Sequence, residues 1–317
     1  MKKETLNRQA VCFVIVYFGE WPEWIDYFMR SCEENPAFHW LIFSDCGPAL
    51  NTPKNVSVQE INAAQFEELV ARKLGTAYQF SYGYKLCDLK PAYGHIFSEW
   101  LNEFTFWGYT DLDVVYGDLS RFVDEHTLEA FDFICASDRI LVGHFTLVRN
   151  TGDLALLYQS CEGYLEKLCS PNYEVFDEKD YAVLVKSLAV AGTYRLFEKS
   201  IQTDDCIIWW SGRSHFLIAW WNGRLYDVLT TRPLGYFHFI QSKHRPYFRI
   251  KSFKMGLRCF YVDARGIHPL AGAVDLMRFT LSILQSFSMT IPWYAKNVLK
   301  RILSNKARLR IRTTFSR

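Results

Sequence analysis

Short apolar runs alternate with amphipathic stretches from the start of the chain, and their lengths set its plan. Residues 11–17 form an uncharged, β-branched run that predicts a buried strand. Trp24, Ile25, Phe28 and Met29 then recur on one helical face, and residues 38–43 give a second strand ending at Ser44-Asp45-Cys46. Strand, helix and strand within about 35 residues make a βαβ unit, which predicts a parallel sheet. Asp45 thereby falls at the carboxyl end of a strand, where open α/β sheets bind ligands.

Further along, the pattern predicts a short strand at 56–58 and a helix at 63–74. A polar, charged segment covers 84–91, a helix 92–104, and a strand 106–110 that runs into Asp111-Leu112-Asp113. Strands are expected at 131–136 and 143–149. A helix introduced by Phe176-Asp177-Glu178-Lys179-Asp180 reaches about 188, and a His-bearing strand or loop at 236–239 closes the ordered core. No repeat, low-complexity stretch or Pro/Gly-rich linker interrupts the chain. The fold class expected is α/β, a mixed, mostly parallel sheet flanked by helices. One domain would span residues 1–272, with a helical basic extension over 273–317.

Composition refines this plan. A chain of 317 residues, half of them hydrophobic, buries a full core. Aromatic residues make up 17 %, which fits either an aromatic-rich core or sugar-binding and membrane-facing rings. Nine cysteines occur with no CxxC and no zinc-site spacing, as expected of reduced thiols in a cytosolic protein. The apolar run near the N-terminus is short, lacks a small-residue cleavage site, and reads as a core strand rather than a signal peptide. Net charge is only +2, yet residues 273–317 carry nine Lys/Arg against one acid, leaving the preceding body acidic.

The Asp111-Leu112-Asp113 turn is the main candidate for chemistry. A bare Asp-x-Asp is common in solvated turns. Here Phe106, Trp107 and Tyr109 precede it and Val114, Val115 and Tyr116 follow. Two acids amid so much apolar sequence are costly to bury without a cation or donors. Carboxylates at a strand end suit a hard divalent ion that bridges a diphosphate and acts as a Lewis acid.

The blocks Lys85-Leu86-Cys87-Asp88-Leu89-Lys90-Pro91-Ala92-Tyr93-Gly94 and Phe106-Trp107-Gly108-Tyr109-Thr110-Asp111-Leu112-Asp113-Val114-Val115-Tyr116-Gly117-Asp118-Leu119 resemble DUF6625-type bacterial glycosyltransferases, which are GT-A-like. The resemblance runs from about residue 11 to 243. It implies a GT-A-like fold, a nucleotide-sugar donor (a UDP-sugar favoured), a Mn2+ or Mg2+ ion, and transfer to a hydroxyl of a cell-surface polysaccharide or lipooligosaccharide. Carried over, Asp113 is a direct metal ligand and Asp111 contacts ribose and metal. GT-A enzymes commonly add a late histidine, which implies His238 as a further ligand and Lys243 facing the diphosphate. His244 takes the ligand role if the turn is shifted, and a half-buried structural histidine is the alternative for His238.

Lys85, Asp88 and Lys90, three charges before a helix, are expected to join Asp45 in contacting the donor, with a solvated helix start as the alternative. Asp177 and Glu178 stand at a helix start whose partial positive charge favours an ionised carboxylate. They are candidates for the base that takes the acceptor proton, or for acceptor binding. The alternative is that Asp177 only caps the helix. Gly143 permits close backbone approach near the donor, and His144, Arg149 and Asn150 lie between the two acidic sites.

Residues 279–295 carry no charge, but Ser, Gln, Thr and Pro292 interrupt them and the run is too short to span a membrane. With Trp293, Tyr294 and the cationic run that follows, an interfacial segment on an anionic membrane surface is expected. The chain is then cytoplasmic and peripheral to the inner face of the bacterial membrane, acting on a glycan or lipid-linked glycan acceptor. No nucleic-acid module accompanies the basic tail, so no nucleic-acid partner is expected. The competing functional class is a noncatalytic glycan- or nucleotide-binding protein on a degenerate GT-A scaffold.

Overall fold

The computed structural model describes residues 9–286 except 50, 139–140, 212–214 and 274. The described residues divide into two compact units. The first contains residues up to 202 together with Gly235–His238, and the second contains 203–234 and residues from 239 onward.

In the first unit, β1 (Gln9–Tyr17) lies inside a seven-stranded sheet, with β2 (Phe38–Ser44) and β3 (Val56–Glu60) on one side. On the other side come β4 (Phe104–Thr110), then β7 (Phe145–Arg149), β6 (Phe133–Cys135) and β8 (Leu196–Glu198), numbered in chain order with β5 (Val114–Tyr116) standing outside the sheet. The pairs from β3 to β4 are parallel, β7 is antiparallel to both β4 and β6, and β8 is parallel to β6. This is the mixed, mostly parallel sheet expected. Val11, Phe13, Val14 and Ile15 are buried, which explains the continuous apolar run of β1: a central parallel strand has both faces covered.

The helices form where the apolar spacing predicts. Helix α1 (Ile25–Glu33) buries Phe28, Met29 and Cys32. Helix α2 (Ala63–Leu74) starts in a capping box in which Asn62 and Gln65 satisfy each other's backbone N–H groups. The expected helix at 92–104 is instead two short turns, Tyr93–Ile96 and Ser98–Leu101. Phe97 leaves helical geometry between them and stacks on Phe43 at 4.1 Å, so aromatic packing overrides helix propensity.

The ordered core does not close at 239. The second unit holds a six-stranded sheet in the order Arg232–Leu234, Arg224–Asp227, Leu217–Trp221, Cys259–Asp263, Gly266–Pro269, Arg249–Ile250. It is antiparallel except for its last pair. Helical residues 275–286 pack on it through Phe279 and Ile283, against Leu217, Leu229 and Tyr261. The rest of the expected basic extension, residues 287–317, lies outside the described residues. No described helix is long and apolar enough to cross a membrane. All nine cysteines are free.

Candidate functional site

Strand β4 delivers Asp111 at its carboxyl end, and β5 begins directly after Asp113. The turn between them is pinned by Trp24, whose indole N–H donates to the Leu112 carbonyl at 2.9 Å. The strand Tyr236–His238 returns antiparallel to β5, pairing His238 with Val114 and Tyr236 with Tyr116. That register sets His238 beside Asp113, with Nε2 and Oδ2 separated by 3.1 Å and both side chains buried. One ligand atom from each of Asp111, Asp113 and His238 lies within 4.8 Å of the others. Two carboxylates and one imidazole suit a hard or borderline divalent cation, with positions to spare for phosphate oxygens.

His144 lies tilted against His238, with ring centroids 4.3 Å apart, and its Nδ1 shares a hydrogen bond with the Tyr236 hydroxyl at 2.8 Å. Burial, reinforced by His238 and Lys90, holds the His144 imidazole well below its usual range. His144 thus packs against His238 while its hydrogen bond goes to Tyr236.

A second set of charges adjoins the turn. Lys90 Nζ donates to Asp111 Oδ1 at 2.6 Å and to the Gly143 carbonyl at 2.9 Å. Burial disfavours its charge, but Asp111 prevails, with Asp177 adding, and the ammonium titrates well above the ordinary lysine range. The Gly143 N–H donates to Glu178 Oε1 at 2.8 Å. A Cβ on Gly143 would lie 2.3 Å from Asp177 Oδ2, so the backbone approach requires glycine.

Asp177 is only 2 % exposed, and its Oδ1 has no hydrogen-bond partner among the described residues. Burial raises its pKa from the ordinary 3.8 to about 7, opposed by Lys90 and reinforced by Glu178. It is no helix cap: the helix Asp180–Val190 starts three residues later, after Lys179. Just before Asp177, Val175 holds φ at 59°, a left-handed conformation costly for a β-branched residue.

Several expected donor contacts are corrected by burial. Lys85 and Asp88 are buried and pair with each other at 2.9 Å. Lys85 also donates to the carbonyls of Lys167 and Asn172, while Asp88 accepts the backbone N–H groups of Glu174 and Phe176. Neither has surface to offer a ligand; both fasten the segment that leads to Asp177. Asp45 does lie at the end of β2, where its carboxylate accepts the Gly19 N–H at 2.7 Å and shapes the loop after β1. Arg149 binds Asp132 and the Phe131 carbonyl, and Asn150 binds the carbonyls of Leu101 and Phe104. Lys243 and His244 belong to the second unit, in the turn Ser242–His244.

The site elements Asp111, Asp113, Lys90, Asp177 and His238 all fall within one matched stretch. A protein-family profile described as a family of unknown function (DUF6625) matches residues 13–270. The chain belongs to that family. No curated protein matches it. The DUF6625 match stops before the helical residues 275–286, so the apolar and basic C-terminal features lie beyond it.

Two features of this DUF6625 site carry little signal in sequence. Tyr236 reads as an ordinary strand residue, and only pairing with Tyr116 brings it to His144. Tyr173, whose phenol feels Asp177 and Glu178, sits in a loop with no motif. In the second unit Asp204, Asp205 and Cys206 also gather their ligand atoms. Their carboxylates are occupied structurally: Asp204 caps the helix Asp205–Trp210, and Asp205 accepts the N–H groups of Gln241 and Ser242.

Proposed function

We propose that this chain is a metal-dependent glycosyltransferase that moves a sugar from a nucleotide-sugar donor, favoured to be a UDP-sugar, to a hydroxyl of a cell-surface glycan. The observation that carries the reading is the meeting of Asp111, Asp113 and His238 at the carboxyl end of β4, beside the buried Lys90 and Asp177. Asp113 and His238, with Asp111, would hold Mn2+ or Mg2+, which supplies Lewis-acid stabilisation of the departing diphosphate.

The chain's own groups divide the remaining work. Lys90 orients Asp111 and adds positive charge beside it. Asp177, poised near neutrality, accepts the proton of the acceptor hydroxyl as its oxygen bonds to the sugar carbon. The bond from that carbon to the diphosphate breaks, and the electron pair leaves with the nucleotide. Glu178, bound to the Gly143 N–H, keeps the loop beside Asp177 in place.

A peripheral position on the inner face of the cytoplasmic membrane belongs to the same reading. Leu276, Met277, Leu281 and Leu284 are exposed on the outer side of the helix that packs through Phe279. Eight Lys/Arg and no acid follow in residues 287–317. Apolar anchors next to cations suit an anionic leaflet carrying a lipid-linked acceptor.

The test is release of free nucleotide from a panel of nucleotide sugars with and without Mn2+. Metal-dependent release that Asp113→Asn abolishes supports the reading. Metal-dependent UDP binding without any turnover would instead favour a noncatalytic binding protein.

A further inference from the structure

Three tyrosines gather in the first unit, where the segment 81–84 meets the segment that leads to Asp177. Tyr82 and Tyr84 are 44 % and 51 % exposed. Isolated exposed aromatics are ordinary on a protein surface, but these two are tied to a third. The Tyr84 ring meets the Tyr173 ring edge-on at 5.7 Å, and the Tyr82 hydroxyl accepts the Tyr173 backbone N–H at 3.0 Å. Ser81 adds a further tie, its hydroxyl donating to the Pro171 carbonyl at 3.1 Å.

Beneath this lip, the buried Lys85–Asp88 pair binds the backbone at 167, 172, 174 and 176. The same short segment therefore carries an aromatic ring at the rim and a buried carboxylate four residues on. Burial raises the pKa of the Tyr173 phenol, Asp177 and Glu178 raise it further, and Lys90 opposes them.

We propose that Tyr82, Tyr84 and Tyr173 form the acceptor subsite, and that the ring it recognises is a pyranose. This rests on the transferase reading for the role of Asp177, but the binding itself does not. A pyranose presents C–H groups on its face and hydroxyls at its edge, matching side chains with an apolar body and a polar tip. Two carboxylates, Asp177 and Glu178, follow Tyr173 on the same segment and act on its phenol. A neutral sugar tolerates them, whereas a lipid phosphate would meet like charge.

The experiment is saturation-transfer NMR on the full chain with Mg2+ and UDP present. The probes are methyl β-D-glucopyranoside, methyl β-D-galactopyranoside and methyl N-acetyl-β-D-glucosaminide. Transfer to the ring C–H protons of at least one glycoside is expected. Tyr84→Ala should weaken its binding roughly three- to tenfold, and Tyr84→Phe should retain most of it, because the ring face supplies the contact. Tyr84 is exposed, and an unchanged melting temperature checks that its variants fold. No transfer to any of the three, or transfer indifferent to Tyr84→Ala, overturns the subsite. Nucleotide release by the wild-type chain tests the transferase reading separately, so the two failures are distinguishable.

Discussion

Lys90 and Asp111 form an ion pair of 2.6 Å, so one acid of the Asp-Leu-Asp turn already has a cationic partner from the chain itself. A divalent ion at the turn competes with that ammonium for the same carboxylate. Lys90→Met should therefore tighten Mn2+ binding severalfold, read by calorimetric titration, while lowering the melting temperature of the metal-free protein. Weaker Mn2+ binding in the variant would show that the positioning of Asp111 by Lys90 outweighs its competition with the ion.

Asp113 and His238 give a second test. In the wild type, UDP with Mn2+ should raise the melting temperature; ligand at about 100 times its dissociation constant adds about 2.7 kcal/mol. Asp113→Asn should fold normally and lose that increment together with turnover. A variant that kept wild-type rates with Mn2+ present would remove Asp113 from the site.

Asp177 predicts a pH dependence of definite sign. Its pKa is raised from 3.8 to about 7, chiefly by burial, so the folded protein holds a proton that the unfolded chain has released across that interval. Stability contributed by this group therefore falls as pH rises from about 4 to 7. Asp177→Asn should gain stability relative to wild type at pH 8 and lose that gain at pH 4, as followed by denaturant unfolding. Transfer should behave oppositely. Wild-type kcat should rise with pH through about 7, and the Asn variant should be slower by about 100-fold or more.

Gly143 makes the site's tolerance measurable. The alanine methyl would meet Asp177 Oδ2 at 2.3 Å, in a place where the carboxylate is buried and short. Gly143→Ala should cost about 1–3 kcal/mol and lower turnover, with Mn2+ binding largely kept. An active, fully stable variant would mean that Asp177 can rotate away freely.

Membrane association can be tested without removing the packed helix. Phe279 sits against Tyr261 at 5.1 Å, so deletion from residue 273 would expose the second unit's core. Leu281→Asp with Leu284→Asp, or deletion of residues 287–317, should reduce sedimentation with anionic vesicles. Binding by the wild type should weaken with salt, since each cation near the leaflet contributes about 1 kcal/mol. Equal sedimentation of all three proteins would rule the surface out.

Local pattern made much of this molecule readable. β1, α1 and α2 follow directly from apolar spacing, and the flanks of Asp111 and Asp113 separate them from an ordinary turn. His238 was legible as chemistry, yet its position depends on a pairing with β5 across more than a hundred residues. Lys85 and Asp88 were misleading for the same reason. Charges close in sequence suggest solvent or ligand, whereas their burial is compensated by backbone groups at 167–176. The strands of the second unit are not legible in the sequence, because their short aromatic stretches carry weak alternation on their own.

The buried Lys85–Asp88 fastening has an evolutionary consequence. Both charges belong to segment 81–90, and segment 167–178 answers them with backbone groups alone, so replacing either side chain by itself strands an ammonium or a carboxylate in the interior. Natural variants should therefore keep or lose Lys85 and Asp88 together, while the side chains of 167–178 remain free to vary. An engineer reshaping the lip could alter Tyr173 without touching the fastening.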